Sequence, residues 1–515
     1  MARNVPRIPA EMRRSKGPKK KNPDARIEKV AREKLGFASL RPGQREAVRT
    51  ILDRHDTLVV QPTGSGKSAI YQIAGFMIKG STVVISPLIA LQKDQVDSIQ
   101  DQNSADAVAV NSTQRISEIR EHLSRLENGQ VEFIFLAPEQ LRKQETVERL
   151  KNSGISFFVV DEAHCVSEWG HDFRPDYLRL GHIIEALGHP RVLALTATAS
   201  AAVRQEIIER LQMRKPKIFV RGFDRPNIYL RVDRFKTEAE KRDALVHRAR
   251  WADKPGIIYV GTRKAAEEIM QALAAEEIES LFYHGGLKGK DREIIQDRYM
   301  AGDAEVIVAT NAFGMGVDKP DVRFVYHYDP ADSLDSYYQE IGRAGRDGKK
   351  AEAILFYRPE DIGAQNFKTG EGGIPEEVLQ DLAAHLAEVA GPVKPEDVAG
   401  DIGLSARKLT SALQQLEDVG AAEMLPSGAV QASEDVDPAA AAQAATEEHE
   451  RRREMKKQRL EMMRAYAESN SCRRELLLQY LGEDFTGPCN FCDNCEAASG
   501  GVPVNPASGT RREVV

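Results

Sequence analysis

The segment Thr57–Ser68, TLVVQPTGSGKS, has the residue types and spacing that hold a nucleotide phosphate, although Gln61 replaces the first Gly of G-x-x-x-x-G-K-[ST]. A β-branched run enters the Gly-rich loop, which opens onto the helical pattern SAIYQIAGFMI; this context disfavours a chance Gly-rich turn. Glycines let backbone N–H groups close around an anion at the positive end of the helix. Lys67 can reach the β- and γ-phosphates, and the Ser68 hydroxyl can hold Mg²⁺. The predicted nucleotide-binding residues are Thr63, Gly64, Ser65, Gly66, Lys67 and Ser68.

Two adjacent carboxylates follow the buried-strand pattern FFVV, in the sequence DEAH at Asp161–His164. The Asp161 carboxylate can hold Mg²⁺ through its water shell, and Glu162 can orient and deprotonate an attacking water. Acidic pairs also occur by chance on protein surfaces. A pair that ends a strand downstream of a phosphate loop favours catalysis instead.

Two arginines three positions apart, Arg343 and Arg346, lie within QEIGRAGRDG at Gln339–Gly348. On a helix this spacing places both guanidinium groups on one face. Arginine fingers stabilise the charge that develops on a transferred phosphoryl group. A surface salt-bridge pair is the alternative, but it gives no reason for the flanking glycines. We therefore predict arginine fingers that reach the nucleotide from a second domain.

Four of the five cysteines form the pattern Cys472-x16-Cys489-x2-Cys492-x2-Cys495, while Cys165 stands alone and is predicted to be a small buried residue. Clustered cysteines in a cytosolic chain favour metal binding over disulfides. Two overlapping C-x-x-C steps present three sulfurs from one turn, and Cys472 can complete a tetrahedron. Closed four-thiolate coordination is typical of structural zinc, with an iron–sulfur cluster as the chemical alternative.

Three further segments carry residue types that contact nucleic acid. Ser167–Tyr177, SEWGHDFRPDY, interleaves aromatic side chains (Tyr177 included) with cations, which suits base stacking on single strands; a hydrophobic cluster under a loop is the alternative. Tyr283–Arg292, YHGGLKGKDR, offers Gly-rich backbone and two lysines for phosphate contact. Lys394–Leu425 is typical of a helix-turn-helix with Ser405 capping its second helix, a unit that either binds duplex DNA or only packs. The candidate DNA-contacting residues are Trp169, His171, Phe173, Arg174, Lys288, Lys290, Arg407 and Lys408.

Size and composition limit the classes of protein that the chain can be. Its 515 residues suggest roughly three domains, and 41% hydrophobic with 29% charged residues is ordinary for a soluble globular protein. A net charge of −6 argues against an overall basic protein but allows a local basic stripe. Residues 1–25 are basic and aperiodic, which predicts a disordered tail that either solvates or binds phosphates. Without an apolar span or signal core, we expect a cytoplasmic protein, or a nuclear one in a eukaryote.

Two series of short apolar strands, separated by helical patterns, predict two tandem α/β domains with parallel sheets. Nearly every polar motif follows one of these strands, where open α/β sheets place their ligands. The first series is Leu58–Val60, Thr82–Ser86, Phe133–Ala137, Phe157–Val160 and Val192–Leu195; the second is Gly256–Val260, Leu281–Tyr283, Val306–Ala309, Phe324–Tyr328 and Ala353–Tyr357. The predicted domains are α/β at 26–212 and 213–360, a linker at 361–373, a winged-helix-like domain at 374–433, an acidic Ala-rich linker at 434–450 that could also start a long helix, a zinc-binding module at 451–497 and a disordered tail at 498–515.

Eight motifs in this order resemble the RecQ family of DNA helicases, which belongs to helicase superfamily 2. They are LRPGQREAV, QPTGSGKS, SPLIALQKDQV, DEAHCVSEWGHDFRPDY, LTATA, GIIYVGTRK, ATNAFGMGVDKPDVRFVYHYDP and QEIGRAGRDG, within about residues 26–360. The sequence CRRELLLQYLGEDFTGPCNFCDNC extends the resemblance and favours zinc over an iron–sulfur cluster. The resemblance implies an α/β fold of two tandem RecA-like parallel-sheet domains, followed by a winged-helix-like domain and a four-cysteine zinc module. One departure is that the winged-helix candidate precedes the cysteines, whereas the family's usual order places zinc first.

The resemblance also implies roles for individual residues. Gln44 would read the adenine edge, and His164 would couple nucleotide state to domain closure. Thr196 and Thr198, in the TATA sequence, suit hydrogen-bonded coupling between ATP and DNA sites. The implied catalytic residues are Lys67, Asp161, Glu162, Gln339, Arg343 and Arg346, the last three reaching the γ-phosphate and its water from the second domain.

The predicted function is an ATP-dependent DNA helicase that moves 3′→5′ on single-stranded DNA and unwinds duplex in repair, recombination or replication. Its predicted cofactors are ATP, Mg²⁺ and Zn²⁺. Its predicted partners are single-stranded and duplex DNA, and the protein is expected to be a monomer that does not bind membranes. An RNA helicase of the same superfamily is one alternative, which DEAH, TATA and the aromatic-rich segment disfavour. A DNA-binding regulator that uses ATP only as a switch is another, since such a switch need not keep Glu162, Arg343 and Arg346.

Overall fold

The computed structural model describes residues 23–62, 64–87, 89–101, 105–167, 174–313, 319–363, 373–389, 391–425, 429–433 and 436–500, without the side chains of residues 90, 91, 101, 175, 401 and 407. Across these ranges the chain forms two α/β domains, a helical domain with a β-hairpin, and a cysteine module on a long helix. Several predictions lie outside the described residues: those for Thr63, Trp169, His171, Phe173, most of the linker at 361–373 and most of both terminal tails.

The first domain is a seven-stranded parallel sheet with helices on both faces. Alternate residues of its strands enter opposite cores, so Leu58 and Val60 pack on one face and Val59 on the other. The strands are β1 Thr57–Val60, β2 Ser81–Ile85, β3 Ala107–Val110, β4 Phe133–Leu136, β5 Ile155–Val160, β6 Arg191–Thr196 and β7 Lys217–Val220, in the order β3-β4-β2-β5-β6-β1-β7. The helices are α1 Pro23–Leu35, α2 Gln44–Leu52, α3 Lys67–Met77, α4 Ile89–Asp101, α5 Ile116–Glu127, α6 Gln144–Asn152, α7 Leu180–Ala186 and α8 Ala201–Arg210, with 3-10 turns at Pro138–Arg142, Ala163–Val166 and Pro175–Arg179.

The boundaries predicted for this domain need two corrections. Strand β7 pairs in parallel with β1, so the domain continues past residue 212. Lys217 and Ile218 are exposed on this edge strand, which left only a weak apolar pattern in the sequence. At the other end, α1 begins at Pro23, inside the segment predicted as a tail.

The second domain is a six-stranded parallel sheet. Its strands are β8 Ile228–Arg234, β9 Gly256–Tyr259, β10 Ser280–Tyr283, β11 Val306–Ala309, β12 Phe324–His327 and β13 Ala351–Tyr357, in the order β10-β11-β9-β12-β13-β8. Its helices are α9 Glu238–Trp251, α10 Arg263–Ala275, α11 Gly289–Ala301 and α12 Leu334–Ile341. The edge strand β8 was not predicted, because the buried ion pair of Arg231 with Asp233 (2.6 Å) interrupts its apolar pattern.

Residues 374–433 form the predicted helix-turn-helix followed by a β-hairpin. The helices are α13 Glu376–Glu388, α14 Pro395–Ile402 and α15 Ala406–Asp418, and the hairpin pairs β14 Ala422–Met424 with β15 Val430–Ala432 in antiparallel. The Ser405 hydroxyl accepts a hydrogen bond from the Lys408 amide (3.5 Å), which caps α15 as predicted. Leu409, Leu413 and Leu416 on the apolar face of α15 are buried in this domain's core.

The sequence allowed either a linker or the start of a long helix at 434–450, and the structure shows the helix: α16 runs without a break from Pro438 to Glu468. Ala441, Ala442 and Ala445 pack with α13 in the core of the preceding domain, and alanine has the best helix propensity of all residues. Two short helices follow, α17 Arg473–Leu481 and α18 Asp493–Ala498. None of the described helices, α16 included, is long and apolar enough to cross a membrane.

Candidate active site and metal centre

Three neighbouring parallel strands end at the residues predicted to handle ATP. The phosphate loop follows β1, TATA begins at the end of β6, and DEAH follows β5. Because parallel strands end at the same edge of a sheet, the three motifs lie side by side. The Gln61 amide donates to the Thr196 carbonyl (3.1 Å), which joins the first two directly.

The phosphate loop has the backbone that the sequence predicts. Gly64 and Gly66 have φ of 79° and 82°, in the left-handed region that glycine enters without strain. Lys67 Nζ donates to the carbonyls of Gln61 (2.8 Å) and Pro62 (3.3 Å), so the ammonium folds back over the loop.

Gln44 contacts this loop rather than standing apart from it. Its Nε2 donates to the Gly66 carbonyl (2.8 Å), and its Oε1 accepts from the Arg41 amide (2.8 Å). A Cβ at position 66 would lie 2.8 Å from Gln44 Nε2, so the close approach also requires glycine. The Arg41 side chain, which sequence reasoning missed, donates to the Gly64 carbonyl. Contact of Gln44 with adenine stays a prediction.

The DEAH carboxylates lie next to Lys67. Burial and the neighbouring Glu162 raise the pKa of Asp161 to about 7, while Lys67 opposes the rise. Glu162 has φ of 47°, a left-handed conformation that costs a non-glycine residue about 1–3 kcal/mol. Such strain persists only where the surrounding structure imposes it.

The three predicted coupling residues are joined by hydrogen bonds. The Thr196 hydroxyl donates to the Thr198 carbonyl (2.9 Å), so it must accept from His164 Nδ1 (2.9 Å). Glu162 Oε2 lies 3.4 Å from the same nitrogen. His164, Thr196 and Thr198 are all buried. A polar path therefore connects the carboxylate of DEAH with TATA.

The predicted DNA-contacting residues whose side chains are described belong to three different domains. Arg174 Nη1 donates to the Pro87 carbonyl (3.4 Å), while Lys288 and Lys290 are exposed at the start of α11. Lys408 is exposed on α15. Tyr177 is a correction: it is fully buried and its hydroxyl donates to the Asp161 carbonyl (3.2 Å), so it supports DEAH rather than stacking on a base.

Arg343 and Arg346 lie on turns, not on the helix that their spacing suggested. Helix α12 ends at Ile341, and Gly345 adopts φ of 56°, which turns the chain away from the helix axis. Gln339 is half-buried near the end of α12. Burial raises the pKa of Tyr259 to about 12, and the positive charges of Arg343 and Arg346 oppose the rise, so both arginines lie near this tyrosine of the second domain.

The positive charge of Arg346, in the second domain, affects the pKa of Lys67 in the first domain. Burial lowers the pKa of Lys67, and the charge of Arg346 lowers it further, whereas Glu162 and Asp161 oppose the fall. Arg346 thus lies within electrostatic reach of the phosphate-loop lysine although it belongs to the second domain. The role of Arg346 as an arginine finger stays a prediction.

Two residues that the sequence did not reveal hold the arginine turn, residues 342–349. Arg225 donates to the carbonyls of Gly342 (3.0 Å), Ala344 (2.8 Å) and Gly345 (3.1 Å). Asn227 Nδ2 donates to the carbonyls of Gly345 and Lys349, both at 2.8 Å. Because main-chain carbonyls have no residue type, nothing in the sequence could have paired these segments.

The four clustered cysteines converge on one point. Their sulfurs lie within 4.8 Å of one another, and Cys489 Sγ is 3.9 Å from Cys495 Sγ. A tetrahedral zinc with Zn–S of ~2.3 Å requires sulfurs ~3.8 Å apart, so the set fits zinc. A hydrogen bond from Cys489 lowers the pKa of Cys492 to about 5, which favours the thiolate that zinc binds. Cys165 is buried, as predicted.

Known protein families match three consecutive parts of this sequence. Family models match a DEAD/DEAH box helicase domain at 41–207, a helicase conserved C-terminal domain at 240–348 and a RecQ zinc-binding domain at 433–496. The chain is 40% identical over 364 residues to the probable ATP-dependent DNA helicase RecS of Bacillus subtilis, covering 70% of both proteins. It belongs to the RecQ family of ATP-dependent DNA helicases. A second relative, the ATP-dependent DNA helicase RecQ of Pasteurella multocida, is 35% identical over 90% of this chain and 61% of its own length.

The fold of this RecQ-family chain is also found in solved structures. The helicase Lhr of Mycobacterium smegmatis, bound to single-stranded DNA and AMP-PNP, superposes with a TM-score of 0.52 at 20% identity, covering 82% of this chain and 62% of that one. At this identity the likeness shows the fold alone. The family's zinc-binding model begins at residue 433, so it includes all of α16, which corrects the predicted start of the module at 451.

A basic groove, absent from the sequence-based site residues, lies between α15 and α16. Its volume is about 520 Å³. Arg453 and Lys456 are exposed there and have no ion-pair partner among the described residues. Burial lowers the pKa of His449, and the charges of Lys456, Arg453 and Arg452 lower it further, which shows a positive potential in the groove. The residues that line it are Thr410, Ser411, Gln414, Gln415, Asp418, His449, Arg452, Arg453 and Lys456.

Proposed function

We propose that this chain hydrolyses ATP to move 3′→5′ along single-stranded DNA and to separate the strands of a duplex. One observation carries the proposal: the charge of Arg346 reaches Lys67 from the opposite domain, beside Asp161 and Glu162. A phosphoryl-transfer site needs a phosphate-binding lysine, a group that orients water and a cation at the developing charge, and Lys67, Glu162 and Arg346 are the residues proposed for these parts.

Each residue of the site has one task in hydrolysis. Lys67 would leave the carbonyls of Gln61 and Pro62 for the β- and γ-phosphates. Glu162 would orient the attacking water and accept its proton, and Arg346 would stabilise the charge on the transferred phosphoryl group.

Asp161 and Ser68 would hold Mg²⁺, which would neutralise phosphate charge when bound. Burial and the Asp161 carboxylate raise the pKa of Tyr71 and the Ser68 hydroxyl opposes the rise, so both oxygen donors lie near this hydroxyl, which supports the proposal. Magnesium prefers such hard oxygen donors.

On the DNA side, we propose that Trp169, His171, Phe173 and Arg174 stack on and contact a single strand, with Lys288 and Lys290 on its phosphates. Duplex would bind to the helix-turn-helix through Arg407 and Lys408 and to the basic groove through Arg453 and Lys456. Phosphate contacts would dominate the affinity, so binding should weaken with salt and show little sequence preference. DNA repair, recombination and replication are the processes proposed, with the protein acting as a cytoplasmic monomer.

Unwinding of duplexes with either a 3′ or a 5′ single-stranded overhang tests the motor and its direction. We expect ATP-dependent unwinding only of the 3′-overhang substrate, abolished by Lys67→Ala. Unwinding of the 5′-overhang substrate alone would reverse the proposed direction. ATP turnover without strand separation on either substrate would leave a translocase.

The two alternatives give different results in simple assays. An RNA helicase would show ATP turnover that RNA stimulates more than DNA does. A regulator that uses ATP only as a switch would keep full activity after Glu162→Gln, because it needs no hydrolysis.

A further inference from the structure

Helix α17 of the zinc module lies at the junction of the two α/β domains. Arg204 of the first domain donates from one nitrogen to the carbonyls of Ala199, in TATA, and Leu481, at the end of α17 (both 2.9 Å). The Tyr480 hydroxyl bonds to Asp335 of the second domain. The zinc module therefore contacts both sides of the ATP cleft.

Arg474 makes the contact that leads to the arginine turn. Its side chain is only 6% exposed, and its Nη2 donates to the carbonyls of Arg225 (3.1 Å) and Ile228 (2.9 Å). Its Nε lies 3.3 Å from Asp224 Oδ1. Arg474 thus fixes the backbone of residues 224–228. The side chain of Arg225, within this segment, donates to three carbonyls of the arginine turn.

We propose that Arg474 is a positioning residue for ATP hydrolysis, which acts by holding Arg225 and, through it, the turn that carries Arg346. Arg474 touches neither nucleotide nor reacting atoms. The inference rests on the proposed role of Arg346, and it gives the zinc module a task in the chemical step besides folding.

The arginine turn has little freedom to compensate for a lost support. A Cβ on Gly345 would lie 2.5 Å from Asn227 Nδ2 and 2.7 Å from the Lys349 carbonyl, so the turn is closely packed. Leu477 and Leu478 of α17 line a cavity of only about 20 Å³ together with Gly342. Because so little empty space separates them, a displacement of α17 should also displace the arginine turn.

The zinc site fixes the other end of this path. Arg473, the neighbour of Arg474, pairs with Asp493 (3.1 Å), which lies between Cys492 and Cys495. Asp493 also accepts from the Val232 amide of β8 (3.0 Å), and Cys492 bridges to Leu230 on the same edge strand. The cysteine turn and α17 are thus anchored to the strand that follows Arg225.

The test is DNA-stimulated ATPase kinetics of the full chain with Arg474→Ala. We expect kcat to fall about 10- to 100-fold, the scale of a misplaced catalytic group, with KM for ATP, zinc content and single-strand affinity changed less than about twofold. Arg474→Lys, which keeps a donor for both carbonyls, should recover part of kcat. Arg234→Ala is the matched control: it removes an arginine-to-carbonyl bond between β8 and the end of α16 (Ala467, 3.1 Å) far from the turn, and should keep normal kcat.

A double-mutant cycle with Arg346→Ala completes the test. If Arg474 acts through the turn, then Arg474→Ala should cost little further turnover in the Arg346→Ala background. Full additivity, or normal kcat in Arg474→Ala, would overturn the inference alone. Normal kcat in Arg346→Ala would instead overturn the proposed role of the turn. Should Arg474→Ala lose zinc, Arg225→Ala applies the same test without touching the module's own contacts, and normal kcat there would also overturn the inference.

Discussion

Glu162 has a strained backbone in the turn after β5 and carries the carboxylate proposed to activate water. Glu162→Gln keeps the side-chain shape but removes the group that accepts a proton from water. We expect ATP turnover to fall about 10²- to 10⁴-fold, the range for loss of a general base, with ATP affinity retained. Steady-state hydrolysis and nucleotide-binding titrations measure the two separately. Equal losses of turnover and affinity would mean that Glu162 binds rather than activates.

The Thr196 hydroxyl accepts a hydrogen bond from His164 and donates one to Thr198, and we predict that it couples the ATP and DNA sites. Thr196→Val has nearly the same volume and breaks both bonds. We expect the stimulation of ATPase by single-stranded DNA to fall several-fold, while the basal rate changes little. Thr57→Val is the matched control, because Thr57 is another buried strand threonine bonded to a carbonyl (His55, 3.1 Å). Equal stimulation in both variants would exclude Thr196 from coupling.

At the scale of elements, the central strands and the loops after them follow from the sequence, because continuous β-branched runs and special residues mark them. Edge strands do not: β7 is half exposed, and β8 contains a buried ion pair. The arginine motif was recognised by its residues, but its turn conformation depends on Arg225 and Asn227, whose partners are distant main-chain carbonyls. Residue types at neighbouring positions predict local structure. A contact between a main-chain carbonyl and a side chain that is distant in the sequence produces no sequence pattern that could predict it.

Helix α16 is the second of the two forms that the sequence allowed for residues 434–450, and its packing gives a direct test of this outcome. Ala442 is buried against the helix-turn-helix domain, whereas Ala444, two positions on, is exposed. Ala442→Glu should destabilise the folded protein by at least about 2 kcal/mol, because it buries a charge without a partner. Ala444→Glu, its control, should be neutral within about 0.5 kcal/mol. Thermal unfolding compares the two; a flexible linker would tolerate both substitutions equally.

In the whole molecule the zinc module covers the free edge of the second sheet, and this predicts the effect of removing the metal. Without zinc, the turn from Cys489 to Cys495 loses its closure, and β8 loses its contacts with Cys492 and Asp493. Chelation should therefore lower the melting temperature and the ATPase kcat together, and an exposed edge strand should promote aggregation. Calorimetry and light scattering with and without chelator measure this. A zinc-free protein with unchanged melting would show that the module is not integral to the motor.

The basic groove is formed by two parts of the molecule: α15 belongs to the helix-turn-helix, and α16 lies within the zinc-binding family match. Its polar and cationic lining suits the phosphates of a duplex, which arginine, lysine, serine, threonine and glutamine side chains contact. The logarithm of the duplex binding constant falls linearly with the logarithm of the salt concentration, with a slope of about 0.9 per phosphate contact. The double variant Arg453→Ala with Lys456→Ala should therefore reduce this slope by about 1.8. Single-strand affinity should not change. Lys457→Ala, on the same helix but paired with Glu454 (3.9 Å), is the control and should keep the slope. If the double variant alters single-strand and duplex binding alike, then the groove contributes only general positive charge, and duplex must be held by the N-terminal end of α15.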